Sequence, residues 1–372
     1  MNKKSAAIIL IIIIVVVTFG GAAYYFFVVP KPNPYDVALI TGTGGLGDKS
    51  FNDAAERGLV AAAAEYGITY VIAEPTSDAE YEPLHRHFAS HPEWIEPYKV
   101  IIGVGYDQAD AIMAAAADYP AQPWAIVDMF IDPGTYPNVT SLLFSEEQGS
   151  ALVGALAGLT TTTDKIGFVG GQNIDLIRKF AAGYYWGANM TNPNIHLTNA
   201  TGSVNITTSF VGTDYTAWTN IAAAKTLADG MYATGLDIIF AAAGRAGIGV
   251  INSAKENNAS YVYPIWAIGV DSPQMYMGCA DPDNPAPPTG VLTSMVKRVD
   301  LAVKWIIGQV VGGSYAGGTL SFWTLANGGV EMEINTTLLT LPAAHLNTVN
   351  MIKTGIINGT FTVPVTYTFL EP

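Results

Sequence analysis

A single cysteine, Cys279, stands in a chain of 372 residues. That excludes an intramolecular disulfide framework and any multi-cysteine metal site, so the fold must be held by apolar burial. Charge is scarce as well. Only 13% of residues are charged, and 17 basic residues face 31 acidic ones, for a formal charge of −14. Phosphate contacts need clustered Lys and Arg, so this balance argues against nucleic acid as a partner and against docking on an anionic membrane surface. Histidine is sparse, at five residues. His87 and His91 are four apart and would share a helix face, as metal ligands do, but no carboxylate–histidine pattern completes a site. With His85 they are expected on a solvated helix face. No Ser-His-Asp set can be assigned, because no histidine sits in a Gly-rich strand-end loop. Neither catalysis nor a cofactor is expected.

What is present begins with an apolar N-terminus. Ala6 to Val29 is apolar or small except at Thr18, and Lys3 and Lys4 precede it. The run exceeds the about 20 residues that span a hydrocarbon core. Its basic flank keeps the N-terminus in the cytoplasm and exports the rest. It is long for a signal-peptide core, so an uncleaved transmembrane signal-anchor over residues 1–29 is expected, with a cleaved signal peptide as the alternative. No cysteine follows closely enough for a lipoprotein anchor. Residues 30–35 begin Pro-Lys-Pro-Asn-Pro and read as a short stiff linker. Asn-x-Ser/Thr sequons at Asn138, Asn189, Asn199, Asn205, Asn258, Asn335 and Asn358 suit an exported, glycosylated surface.

The body alternates short apolar runs ending in Gly, Asp or Glu with Ala-rich amphipathic segments. Examples are Val37–Thr41, Trp124–Asp128, Ile238–Ala242 and Ile265–Asp271 against Asn52–Tyr66, Glu146–Leu159 and Val299–Val311. This alternation implies an α/β protein with parallel sheets covered by helices on both faces. A coarse doubling gives two doubly wound, Rossmann-like lobes. Lobe 1 is expected over residues 36–142 plus 291–312. Lobe 2 is expected over 143–290 plus 313–372, its tail of strands and loops completing the lobe. Ligands should gather at the carboxyl ends of the strands, in a cleft between the lobes.

The loop after the first body strand, Thr41-Gly42-Thr43-Gly44-Gly45-Leu46-Gly47-Asp48-Lys49-Ser50-Phe51-Asn52, supports two readings. Gly42, Gly44 and Gly47 fit G-x-G-x-x-G, the dinucleotide fingerprint of an NAD-dependent oxidoreductase. Against this, Glu74 lies beyond the about 20-residue spacing of a ribose-binding acid. Asp48 and Phe51 also stand where pyrophosphate needs free backbone N–H groups. The other reading takes Asp48–Asn52 as the informative part, presenting an aromatic ring and an amide to a cleft.

That second reading carries a resemblance. Gly-Asp-Lys-Ser-Phe-Asn resembles the hallmark of the basic membrane protein family, substrate-binding proteins of ABC transporters related to purine-nucleoside-binding lipoproteins. The similarity continues in order through Ile101–Tyr106, Ala125–Asp128, Ser145–Ser150, Lys165–Gly171, Asp237–Phe240, Ile268–Asp271 and Thr293–Arg298. It implies a type I periplasmic-binding-protein-like fold with a hinge, and a monomeric extracellular domain tethered to the cell membrane. That domain would bind a nucleoside and deliver it to an ABC permease. Phe51 matches the aromatic that stacks on the base, the alternative being a core Phe at a helix start. Trp218 matches the opposing aromatic, with Tyr215 as a possible substitute. Asp128 and Asp271 match acceptors for ribose hydroxyls, Lys297 a charge-balancing donor, and Gly244 a small residue admitting the sugar. One departure stands out: the family commonly has Asp where this chain has Gly42, leaving Asn52 or Asp48 to compensate at the base edge. A sugar or other small polar solute, bound by a transport protein or a sensor, is the alternative within the same fold.

Overall fold

The structure is a computed structural model that describes residues 13–19, 22–28, 32–91, 96–197 and 205–368. In chain order its elements are β1 (Ile13–Phe19), β2 (Ala22–Val28), β3 (Val37–Ile40), α1 (Phe51–Tyr66), β4 (Tyr70–Ala73) and α2 (Tyr81–Ser90). There follow β5 (Val100–Val104), α3 (Ala109–Asp118), β6 (Trp124–Val127), β7 (Val139–Phe144), α4 (Glu146–Thr160), β8 (Ile166–Gly170) and α5 (Asp175–Thr191). Next come β9 (Ile206–Phe210), α6 (Ile221–Ala233), β10 (Ile238–Ala242), α7 (Ile248–Asn257) and β11 (Trp266–Asp271). The chain ends with β12 (Val291–Lys297), α8 (Val299–Val311), β13 (Leu320–Trp323), β14 (Val330–Met332) and α9 (Ala343–Ile357).

Two six-stranded sheets form the body, ordered β4-β3-β5-β6-β7-β13 and β9-β8-β10-β11-β12-β14. The first is parallel throughout, and only β14 runs antiparallel in the second. Side chains alternate between the faces, as strand geometry requires. Val37 and Leu39 join the cluster that includes Leu59 of α1 and Val303 of α8, whereas Ala38 and Ile40 face Tyr81 of α2 and Ile112 of α3. In the second sheet, Ile238 and Phe240 meet the α4–α5 side, and Ile239 and Ala241 meet α6 and α7. Both sheets are therefore covered on both faces, as parallel sheets require.

Helices α4 and α5 approach closely through glycines. A Cβ at Gly154 would lie 2.0 Å from the Tyr184 carbonyl oxygen, and one at Gly187 would lie 2.0 Å from that of Ala151. This packing fixes Glu146 at the start of α4 relative to Phe180 on α5, and both bear on the site.

The expected lobe boundaries need correction at the C-terminal side. Val291–Lys297, assigned from sequence to lobe 1, pairs with β11 in the second sheet. Leu320–Trp323, assigned to lobe 2, pairs with β7 at the edge of the first. Helix α8 does pack on lobe 1, where a Cβ at Gly58 of α1 would lie 2.3 Å from the Asp300 carbonyl oxygen. The chain thus crosses between lobes three times, at Ser145, at Arg298 and over 324–329. These crossings are bonded together: Ser145 N–H donates to the Trp323 carbonyl (2.9 Å) and Arg298 N–H to that of Gly329 (2.9 Å). The tail also differs from the expected strands and loops. Residues 343–357 are helical, with Val349, Ile352 and Ile356 buried at helical spacing, and 359–368 contains no strand.

The N-terminal expectation of a helix is not met over the described residues. Ile13–Phe19 and Ala22–Val28 pair antiparallel. Their β-branched and aromatic composition suits strands, and Gly20-Gly21 interrupts the run. Among the described residues no helix is long and apolar enough to cross a membrane. The rest of the expected anchor and the start of the linker, together with the sequon at Asn199, lie outside the described residues. Three sequon amides are already committed within the fold: Asn138 Nδ2 donates to the Ala116, Tyr119 and Gln122 carbonyls, Asn189 Nδ2 to Ile195, and Asn205 Nδ2 to Asp164.

Candidate functional site

The carboxyl ends of β3 and β5 in one lobe face those of β10 and β11 in the other, and a cavity lies between them, partly open to solvent. Lobe 1 contributes the Gly42–Asn52 loop and Val104–Asp107; lobe 2 contributes α5, Trp218 and the strand ends at Ala242 and Asp271.

Six of the expected residues line it: Asp48, Phe51, Asn52, Trp218, Gly244 and Asp271. Trp218 reaches the lining, and Tyr215 does not. Trp218 owes its place to Gly171, where a Cβ would lie 2.1 Å from the indole Cζ3. Its ring meets Tyr106 edge-on at 6.3 Å between centroids. Gly244 adopts φ 54°, a left-handed conformation that favours glycine, directly beside Trp218.

Asp48 lines the cavity, but its carboxylate serves the loop. It accepts the backbone N–H of Ser50 (2.8 Å), Asn52 (2.8 Å) and Asp53 (3.1 Å) at the start of α1. Burial raises its pKa to about 6 despite those bonds. Asn52 Oδ1 accepts the Gly42 N–H at 2.9 Å, and its Nδ2 lies beside Gly44. Further along the loop, Leu46 N–H donates to Glu74 and the Gly47 and Lys49 N–H groups to Asp53. A pyrophosphate would find these backbone donors taken and three carboxylates beside them. The G-x-G-x-x-G match therefore forms a self-bonded turn rather than a phosphate cradle.

Asp128 and Lys297 are not in the cavity lining. They sit behind it, in a buried charged cluster at the junction of the lobes. Lys297 is 2% exposed. Its ammonium pairs with Asp128 of lobe 1 and with Glu146 at 3.0 Å. It also lies 5.3 Å from the Phe51 ring centroid and 5.5 Å from that of Phe180. Burial alone would lower the ammonium pKa, but Asp128, Glu146 and Asp271 hold it above the usual lysine range. Burial raises the pKa of both Asp128 and Asp271, with Lys297 opposing. Asp128 Oδ1 is buried without a partner among the described residues, and its residue opens on a groove that shares Tyr106 and Leu176 with the cavity. Asp128 and Asp271 have φ of 71° and 63°, an uncommon conformation for non-glycine residues. Such outliers cluster at ligand sites.

Other bonds bridge the lobes around the cavity. Ser50 Oγ donates to Asp271 Oδ2 (2.6 Å), Gln274 Nε2 to the Lys49 carbonyl (2.8 Å), and the Tyr106 hydroxyl to Gln172 Oε1 (2.7 Å). The lobes are thus drawn together over the cavity. Sequence reasoning missed Asp107, Phe180 and Arg245 in the lining. Asp107 carried the same signal as Asp128 and Asp271, a carboxylate just past a strand end. Phe180 carried none, being one aromatic on an amphipathic helix. The histidines form no site: His85 is buried against Trp124 and pairs with Gln108 (2.9 Å), not on a solvated face.

This geometry has relatives. Residues 36–366 match the Bmp family, described as ABC transporter substrate-binding protein PnrA-like. The chain is 32% identical over 333 residues to the ABC transporter nucleoside-binding protein BmpA of Lactococcus lactis subsp. cremoris, covering 88% of each chain. It is 29% identical to basic membrane protein A of Borreliella burgdorferi, covering 88% of this chain and 86% of that one. Its fold is similar to a crystal structure of ABC transporter solute-binding proteins from Aeropyrum pernix K1, at TM-score 0.73 and 26% identity over 89% of this chain and 94% of that one. By the span of that match and by its two-lobed type I periplasmic-binding-like fold, the chain belongs to the Bmp family of ABC transporter solute-binding proteins.

Proposed function

We propose that this solute-binding protein captures a purine nucleoside in the interlobe cavity and delivers it to an ABC permease. The observation that carries this is the pair of aromatics, Phe51 from lobe 1 and Trp218 from lobe 2, lining one cavity. A base held between them gains ~1–3 kcal/mol per stacking face, whatever its identity. The sugar then lies toward Asp271, Gly244 and the Lys297–Asp128 cluster. Charged acceptors there strengthen hydroxyl bonds to ~1.5–3 kcal/mol each. The nucleoside-binding name of the Lactococcus relative supports the same ligand class. Capture would proceed by hinge closure about the three crossings. The protein would act as a monomer at the outer face of the cell membrane, tethered by its apolar N-terminus, without a chemical step.

Thermal unfolding with adenosine, guanosine and inosine tests this. A ligand at 100 times its Kd stabilises by about 2.7 kcal/mol, a measurable rise in melting temperature. A response to sugars alone, or to none of the nucleosides, would overturn the assignment.

A further inference from the structure

Gly42 lines the cavity without a side chain, and neither expected substitute keeps an uncommitted side-chain oxygen there. All the hydrogen bonds shown for the Asp48 carboxylate go to the start of α1, and Asn52 Oδ1 is held by the Gly42 N–H. Strand register shows what lies alongside. β3 and β5 pair Ile40 with Gly103, so Gly42 runs beside Gly105. A Cβ at Gly42 would lie 3.3 Å from the Val104 carbonyl oxygen, on the segment that leads into Asp107. That segment is shaped for a carboxylate. Gly105 has φ 124°, and a Cβ there would lie 2.6 Å from Asp107 Oδ1 and 4.0 Å from Phe51 Cε1. Glycine at 105 therefore leaves room for the Asp107 carboxylate near the rim of the Phe51 ring.

Asp107 is also held in place. The Tyr81 hydroxyl donates to its Oδ2 at 2.7 Å while receiving the Thr43 N–H at 3.1 Å. Oδ1 has no side-chain partner among the described residues, and the residue lines the cavity.

We propose that Asp107 reads the base edge in this chain, accepting a hydrogen bond from a base N–H in place of an acid at position 42. The inference rests on the nucleoside reading above. It assigns the cavity a preference for purines that present an N–H donor at that edge, as guanine, hypoxanthine and adenine do, over unsubstituted purine. The reading carboxylate would come from the loop after β5 rather than from the loop after β3, and Tyr81 takes up one of its oxygens to aim the other.

The test is calorimetric titration of wild type and Asp107→Asn with guanosine and with purine riboside, which lacks exocyclic groups and an N1–H. Loss of a charged acceptor should weaken guanosine by roughly tenfold or more and purine riboside by less than about threefold. Equal weakening of both, or unchanged guanosine affinity, overturns the role of Asp107 while leaving nucleoside binding standing. A wild-type protein that binds neither overturns both readings. Tyr81→Phe provides a second variant: without the hydroxyl that aims the carboxylate, the guanosine preference over purine riboside should shrink, but by less than in Asp107→Asn, and its loss alongside a retained preference in Asp107→Asn would overturn the assignment to Asp107.

Discussion

Replacing Lys297 by Met should be the most damaging single change to the fold near the cavity. The ammonium is buried and stands among Asp128, Glu146 and Asp271. Methionine has similar length and no charge, so packing is largely kept while Asp128 and Asp271 lose the cation beside them and Glu146 keeps only Lys179, at 3.6 Å. Removing one partner of a buried pair costs about 3–5 kcal/mol, because the remaining charge stays desolvated. Without the ammonium, the Asp128 and Asp271 pKa values rise further above their unfolded values. Their contribution is then fully present below about pH 4 and lost as pH climbs through the folded values. The deficit of Lys297→Met relative to wild type should therefore be small at pH 4.5 and reach ~3–5 kcal/mol at pH 7.5. Urea unfolding followed by tryptophan fluorescence reads this as a midpoint shift of about 1 M or more at the higher pH. Adding Asp128→Asn to the variant removes one uncompensated charge and should restore part of the loss. A pH-independent deficit, or strictly additive effects of the two substitutions, would refute the charge argument.

Gly171→Ala sets a Cβ against the Trp218 ring, so the indole must leave its place. Nucleoside affinity should fall at least about fivefold, the loss of one stacking face, in an equilibrium titration; unchanged affinity would mean that Trp218 does not stack. Burial raises the Asp107 pKa from 3.8 to about 6, an effect that weakens the folded state as pH rises from about 4 to 6. Asp107→Asn should therefore gain stability on wild type across that window, by on the order of 2–3 kcal/mol, in pH-resolved thermal unfolding. Phe51→Ala combined with Trp218→Ala removes both stacking faces. It should weaken binding by about 30-fold or more while leaving the far-ultraviolet circular dichroism unchanged.

Much of this architecture was legible because its elements are locally encoded. Strands such as Trp124–Val127 and Ile238–Ala242 are short apolar runs stopped by a polar or small residue, and α1 and α4 are Ala- or Gly-rich, and α8 Val- and Ile-rich, amphipathic segments of ordinary length. The site positions followed from the resemblance to ordered family blocks, and six of the eight residues named line one cavity. What was not legible depends on long-range pairing. β12 is buried along its whole length, and such a run reads the same in either sheet; only its bonds to β11 and β14 decide its lobe. Helix α9 was hidden by Thr and Asn, poor helix formers that its apolar stripe overrides by packing on the core. Asp48 looked like a ligand contact, yet the loop needed its oxygens for three backbone donors. Asp128 and Lys297 were expected to meet a ribose, but they pair with each other behind the aromatic wall rather than in the cavity lining.

The central claim is that a purine nucleoside binds between the two lobes. Isothermal titration of the purified protein, freed of co-purifying ligand, with guanosine and adenosine addresses it directly. The account predicts saturable binding at one site per chain that is lost in the Phe51→Ala, Trp218→Ala double variant. Absence of binding to every nucleoside, or binding that survives loss of both rings, would contradict it.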